Sequence, residues 1–494
     1  MKQLYHYTKT LLVLLGVSFS AGSTFGQSAN TEYFLSSSYA KISLNPALRP
    51  TRGYIGIPGL TDYSVGYRTN SFALDNFLFP GADGNGKSSL FLHENISYDQ
   101  FMKGISAQNY LNFDLNETLL GFGFYVGEAF VTFDASLRVN AETNVPRDVF
   151  SFLKKGAAFD GNGETYDFGG LSTDATAYGQ VGLGGSYPLL DNALLVGAKV
   201  KVLAGLAYGR TGLDRMKLNI GKDKWWVTEA HSSMQLAMKG VKPQYDDEGR
   251  FDGLDLDDIA AGVNGFGLGV DLGAAFKPGY FLDDNSFLNN FTVSAAVTDL
   301  GFISWNKANS LYLAADSEDI TISGDKEISF DNSDDLFDDL EDSFKDAYDF
   351  KEKPEGMKSK TGLKARFNWG IEYTFPKENI NVGLFSTTRF NSTKAVSEYT
   401  IGGAVMPFRG LEAGLSYSFI HGGFQTVGLS LHLGSFFYIA SDYVFPKTNS
   451  MFIPVSARAL NLQVGFAIPI GKSRADWRRL RPGGKDKQES AGGQ

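Results

Sequence analysis

The segment with the most familiar chemical spacing is Gly81-Ala-Asp-Gly-Asn-Gly-Lys-Ser88, which fits the phosphate-loop pattern GxxxxGK(S/T). Such a loop cradles phosphates only when a buried strand feeds it and a helix N-terminus receives the anion. Here Pro80 abuts the first glycine, and Gly, Asp, Asn and Ser are ordinary turn residues, so a surface turn and no nucleotide is expected. Asp83-x-Asn85-x-Lys87 and Asp160-x-Asn162-x-Glu164 resemble pieces of calcium loops. Neither has the glycine at the sixth position and the bidentate glutamate at the twelfth. The five histidines (His6, His93, His231, His421 and His432) form no HxxxH or HExxH pair, and there is no GxSxG elbow. The absence of cysteine removes disulfides, thiolate metal sites, iron–sulfur clusters and a thiol nucleophile. These residues predict no enzyme, no metal centre and no cofactor.

The N-terminus predicts export. Lys2 and Lys9 precede the apolar run Leu11–Phe19 and the small-residue stretch Ala21–Gly26, which together read as a signal peptide over residues 1–26, cut before Gln27. Beyond it no uninterrupted apolar run reaches 18 residues, so any membrane crossing must use strands.

A period of two supplies those strands. Leu194, Val196, Ala198, Val200, Val202, Ala204, Leu206 and Tyr208 alternate with Gly197, Lys199, Lys201 and Gly205. Phe266, Leu268, Val270 and Leu272 alternate with Gly267, Gly269 and Asp271, and Leu460–Ile470 repeats the pattern. Successive strand side chains point to opposite faces, giving each segment one apolar and one polar side. Fourteen such strands are expected, near 63–69, 115–126, 128–140, 174–187, 192–208, 264–276, 290–300, 363–376, 380–390, 396–406, 411–420, 424–433, 436–444 and 459–470. Long connections at 70–114, 141–173, 209–263 and 301–362 alternate with shorter ones. That sorting, an even strand number and the strand lengths predict an all-β transmembrane antiparallel β-barrel over 63–470. With 57 Gly, 40 Phe and 23 Tyr, the composition suits crowded strands with aromatic girdles, for which Tyr187, Tyr208, Phe375, Phe419 and Phe445 are candidates. Small loop helices are expected at 331–350, from Leu336, Phe337, Leu340, Phe344, Ala347 and Tyr348, and after Pro146, from Val149, Phe150 and Leu153.

The segment Ser43-Leu-Asn-Pro-Ala47 resembles the N-terminal element of FadL-type outer-membrane proteins. The longer run Leu44–Pro58 is similar to that of an uncharacterised Bacteroidota outer-membrane family. The resemblance implies a fourteen-stranded barrel, an N-terminal hatch over 27–62 shaped by Asn45, Pro46 and Ala47, and passive transport of hydrophobic compounds. One departure is that 24 residues follow Ile470, where such barrels often end on an aromatic residue.

The expected function is therefore a FadL-like passive channel for hydrophobic or small amphipathic solutes in the outer membrane of a Gram-negative bacterium. Asp134, Arg138, Lys199, Lys201 and Asp271 lie on polar strand faces and are the lumen candidates; an ion-pair network closing the lumen is an equal reading of them. The competing reading is a non-transporting scaffold that docks secretion or surface-adhesion partners on its outer loops or C-terminal tail. Lipid is the expected surroundings, and nucleic acid is not an expected partner at a net charge of −10. That charge is local. Residues 316–355 hold sixteen acids and four bases, the tail 471–494 holds seven bases and three acids, and the mature chain outside 316–355, tail included, sums to zero. Calcium at the acidic loop stays open.

Overall fold

The computed structural model describes residues 29–480 apart from 81–87, 156–162, 222–223, 246–250, 256–257, 259–261, 282–286, 324–349, 354–355, 376–377, 393, 409, 421–423, 443–455 and 457. The signal peptide, the phosphate-loop pattern up to Lys87, Asp160, Asn162, the 331–350 helix, His421, Phe445 and the tail beyond Leu480 lie outside the described residues.

Fourteen antiparallel strands form a closed ring. In chain order they are β1 (two pieces, Gly53–Gly56 and Asp62–Thr69), β2 (Gln108–Val126), β3 (Ala129–Pro146), β4 (Leu171–Leu189), β5 (Leu194–Ile220), β6 (Gly265–Phe276) and β7 (Phe291–Trp305). Then follow β8 (Arg366–Thr374), β9 (Ile380–Phe390), β10 (Ala395–Phe408), β11 (Leu411–Ile420), β12 (Phe424–Leu433), β13 (Phe437–Ser441) and β14 (Ala459–Ile470). Each pairs with its neighbour in sequence, and β14 returns to β1 through Gly53↔Ile470 and Tyr63↔Val464. Closure gives each of the fourteen strands a hydrogen-bonded partner on both sides, as a bilayer demands.

Four expected strands coincide with observed ones: β9, β11, β12 and β14. Others are longer than expected. β2 begins at Gln108, β3 reaches Pro146 and β5 runs 27 residues to Ile220, so parts of the expected outer loops are wall. The strand Lys224–Met238 continues this rise, pairing with the distal half of β5 on one side and with Ser310–Ser323 on the other. The wall also starts earlier, because Gly53–Gly56, inside the segment expected as hatch, pairs with both β14 and β2.

The two faces of the wall separate as alternation demands. Val200 is 59% exposed and its neighbour Lys201 only 2%. Phe266, Leu268, Leu272, Ile401, Leu415 and Ile468 are likewise exposed on the outer face. A closed strand ring with such a band is an outer-membrane-type β-barrel. Tyr187, Phe375 and Phe419 are exposed, as girdle residues would be, but Tyr208 is buried. A register irregularity at Ala177/Tyr178 leaves Leu206 of β5 without a partner and switches the faces beyond it, which turns Tyr208 inward onto Trp305. Above the bore, the helix Arg147–Lys155 buries Phe150 against Phe91, Ile96 and Phe101. No described helix is long and apolar enough to cross a membrane.

Candidate lumen closure and its ion pairs

The inner end of the bore is filled by the segment before β1. Nearly every residue from Ala29 to Leu48 is buried, in two short 3-10 turns, Asn30–Phe34 and Ala40–Ser43. This plug packs its apolar side chains into two clusters with the wall and is also held by polar contacts from it. Ala29 N donates to Gln463 Oε1 at 3.0 Å, and Asn30 N to Asp442 Oδ2 at 2.8 Å. The Ser36 and Ser37 amides donate to the Glu412 carboxylate at 2.6 and 2.8 Å. Asn368 Nδ2 donates to Leu44 O at 2.6 Å and Asn381 Nδ2 to Phe34 O at 3.1 Å. Glu32 is fully buried, with His432 Nε2 2.9 Å from one carboxylate oxygen and Ser38 and Ser430 bonded as well. Burial pushes its carboxyl up, but the charge of His432 and the hydrogen bonds of His432, Ser38 and Ser430 win and hold it below its ordinary range.

The three residues singled out as shaping the hatch come together here. Asn45 Oδ1 accepts the Ala47 amide at 2.9 Å, a turn closed by the side chain. Its Nδ2 donates to Ala274 O at 3.2 Å on β6. Gly273 and Gly197 let this turn seat against the wall, since a Cβ at either would collide with Asn45 and Pro46 or with the Pro46–Ala47 backbone.

A second segment locks the plug from below. After Ile470 the chain folds back, and Trp477 and Arg478 are buried, with Asp476 at the edge of burial. Arg478 Nε bonds Asp476 Oδ2 at 3.0 Å, its Nη1 bonds Phe34 O at 3.1 Å and Glu372, and its Nη2 bonds Ser36 Oγ at 2.9 Å. Lys277 lies 4.4 Å over the Trp477 ring and donates to the Trp477 and Leu480 carbonyls. Burial raises the Asp476 carboxyl, but Arg478 and Lys41 overcome it and hold that group far below the usual carboxylate range. Lys41, which donates to Leu35 O at 2.9 Å and Ser36 O at 3.0 Å, is pushed down to about 8 by burial and then by Arg478.

Outward of the plug, charged side chains bridge the bore. Arg389 of β9 bonds both oxygens of Asp114 of β2, one of them at 2.6 Å. Those strands lie on opposite sides of the ring, so the pair reaches straight across it. Arg68 of β1 meets Glu398 of β10 at 2.5 Å, and Lys364 lies 3.2 Å from both Glu142 and Asp174. The five lumen candidates all face inward at this level. Lys199 pairs with Asp134, Lys201 with Asp271 at 2.5 Å and with Asp299 at 2.6 Å, and Arg138 lies 3.9 Å from Asp299. Asp299 has φ +56 at a register irregularity opposite Asp271, whose Oδ1 accepts its amide at 2.7 Å. The irregularity points Thr298 and Asp299, consecutive residues, both inward. Among the described residues no cluster of His, Asp or Glu has the makings of a metal site.

Sequence reasoning missed Asp114, Arg389, Glu398, Arg366, Glu32, His432 and the tail residues. For Arg389 the signal was present, since Asn381, Phe385, Thr387 and Arg389 share one strand face. For Asp299 strict alternation gave no signal.

Among curated proteins none matches the chain. Of solved structures, it is similar to the Pseudomonas putida toluene transporter TodX at 10% identity, covering 90% of this chain and 99% of that one, with a TM-score of 0.38. It is also similar to the Ralstonia pickettii toluene transporter TbuX at 10% identity, covering 87% and 92%, with a TM-score of 0.36. The model of a family of unknown function, DUF5723, matches residues 46–442, and the chain belongs to that family.

Proposed function

We propose that this protein is a FadL-like gated channel of the outer membrane, passing hydrophobic or small amphipathic solutes. The observation that carries it is the nature of the inner seal. The inner bore is filled by a segment that runs into the wall at Gly53 and is held by hydrogen bonds that water can replace, beside two apolar clusters around Tyr33–Leu35 and Tyr39–Ile42. Each such bond contributes only ~1 kcal/mol net, and neither apolar cluster belongs to the strand ladder of the wall, so the reading has the seal separate from the wall without unfolding it. In this reading residues 29–48 are the hatch, Asn45, Pro46 and Ala47 pin it to β5 and β6, and the ion pairs across the bore form a second gate. Export through a cleaved signal peptide, and a Bacteroidota source, belong to the same reading.

The scaffold alternative has an observation of its own in the density of the lumen. A cavity beside Arg68 and Glu398 holds about 10 Å³, and one beside Arg138 and Arg366 about 30 Å³. A hollow of about 560 Å³, lined by Val131, Tyr187, Val196 and Leu272, lies on the lipid-facing side of the wall. Flux of a small apolar solute into liposomes separates the readings. The channel reading expects slow flux through the intact mature chain and much faster flux once residues 29–48 are deleted. No flux through either, with both proteins folded, ends the channel reading and leaves the scaffold.

A further inference from the structure

We propose that the middle of the lumen binds a small monovalent anion between Arg366 and Arg138. The inference goes beyond transport and stands whether or not any solute crosses. It starts from a charge count around the 30 Å³ cavity, which is lined among others by Ser43, Asn116, Asn140, Arg138, Lys199 and Arg366. The cations that line it or pair with its lining are Arg138, Lys199, Lys201, Arg366 and Arg389. The carboxylates are Asp114, Asp134, Asp271 and Asp299. Four of the cations have ion-pair partners in that set: Arg389 with Asp114, Lys199 with Asp134, Lys201 with Asp271, and Arg138 with Asp299. Arg366 makes no ion pair with any described residue, and its Nε is buried with no hydrogen-bond partner. It stands directly across from Arg389 in the β8–β9 register, a like charge. Glu142 and Asp174 bond Lys364 farther out and Glu398 bonds Arg68, and none of these carboxylates pairs with Arg366.

A surplus cation among side chains this enclosed is costly unless a counter-charge joins it. Water in the cavity would satisfy hydrogen bonds and leave the charge in place. The remaining donors converge on the same space, with Arg138 Nε also unpartnered and the Asn116 side-chain amide able to turn its NH₂ inward because its oxygen is unbonded. The volume sets the class of ligand. A cavity of about 30 Å³ has room for a small anion such as a halide or the carboxylate end of a longer molecule.

The test uses the purified mature protein in detergent at constant ionic strength, with gluconate exchanged for chloride, bromide or formate. The expected result is a saturable rise in the thermal midpoint with chloride and bromide, and an anomalous bromide peak beside Arg366 in crystals. Arg366→Gln should lose the anion-dependent rise while keeping its gluconate midpoint at or above that of the wild type. Should that variant fail to fold, Arg366→Lys keeps the charge and is expected to need about tenfold more bromide for half-saturation. Formate that raises the midpoint and displaces bromide identifies a carboxylate site, whereas response to halides alone identifies a resident halide; each supports a monovalent-anion site. Bromide found only at lattice contacts, or equal midpoints in all salts, overturns the proposal.

Discussion

Replacing Arg478 with alanine tests the reading that the segment after β14 locks the plug. The guanidinium lies between two carboxylates whose side chains are 2% and 8% exposed, Glu372 on the wall and Asp476 on its own turn. It also bonds Phe34 O and Ser36 Oγ of the plug. Removing one partner of a buried ion pair costs ~3–5 kcal/mol because the stranded charge stays buried. That cost falls on the closed state, since with plug and tail displaced both carboxylates reach water. Taking ~3 kcal/mol, the displaced population rises roughly a hundredfold at 1.4 kcal/mol per decade. The absence of natural cysteine makes the assay direct. A single cysteine placed at Ala40, 3% exposed in the closed state, reacts with an impermeant maleimide only after the plug moves. Ala40→Cys with Arg478→Ala should label about a hundredfold faster than Ala40→Cys alone, and Arg478→Lys should fall between. A change of less than twofold, in a barrel that still shows the heat-dependent mobility shift of a folded one, would refute the locking role.

Acid should release the same seal. Glu32 and Asp476 are held below their ordinary range when the plug is seated, so the closed state binds fewer protons than the displaced one. Their contribution is present above ~4 and is lost as the pH falls through the depressed values, so Ala40→Cys chemistry compatible with acid, or solute flux, should increase below about pH 4 and not between pH 6 and 8. Gly273→Val, which drives a side chain into Asn45 and Pro46, should weaken plug seating by about 1–3 kcal/mol, read by the same labelling. Gly179→Ala is its control, because the new Cβ would meet only Ala204, about 4.0 Å away. Asp114→Asn and Arg389→Gln should each lower stability to urea by ~3–5 kcal/mol, and the double variant by clearly less than the sum, with a coupling above ~1 kcal/mol. Strict additivity would show that the pair across the bore is incidental.

The barrel was legible in the sequence because lipid and lumen impose opposite polarity on alternate residues, and that constraint is local. Lys199, Lys201 and Asp271 could be placed inside from their neighbours alone. What the sequence did not disclose arises where locality fails. Strand ends were underestimated because the outer halves of β2 and β5 stand clear of the expected apolar band, so no greasy face marks them. Asp299 and Tyr208 were unreadable because a single irregularity shifts the face of everything beyond it. The partners of Glu32 and of Arg478 could not be inferred at all, since His432 and Phe34 are hundreds of positions away from them and only ring closure brings them together.

The chemistry chosen for closing the bore bears on its reversibility. An apolar filling would gain ~25 cal/mol per Å² removed from water and would resist opening in proportion to its area. The charges across this bore behave differently. A buried ion pair repays little more than its desolvation, so Arg389–Asp114 and Arg68–Glu398 define where opposite walls meet while adding little net stability. Once water enters, each ion recovers its hydration, so the closed arrangement is favoured by less than the gross strength of the contacts suggests. Apolar packing inside the bore is concentrated in the plug, in two clusters that include Tyr33 stacked on Phe385 and Tyr39 on Tyr54. A wall that keeps its hydrophobic area on the outside and its polar pairs within can therefore change the state of its lumen without changing the lipid-facing surface that holds it in the membrane.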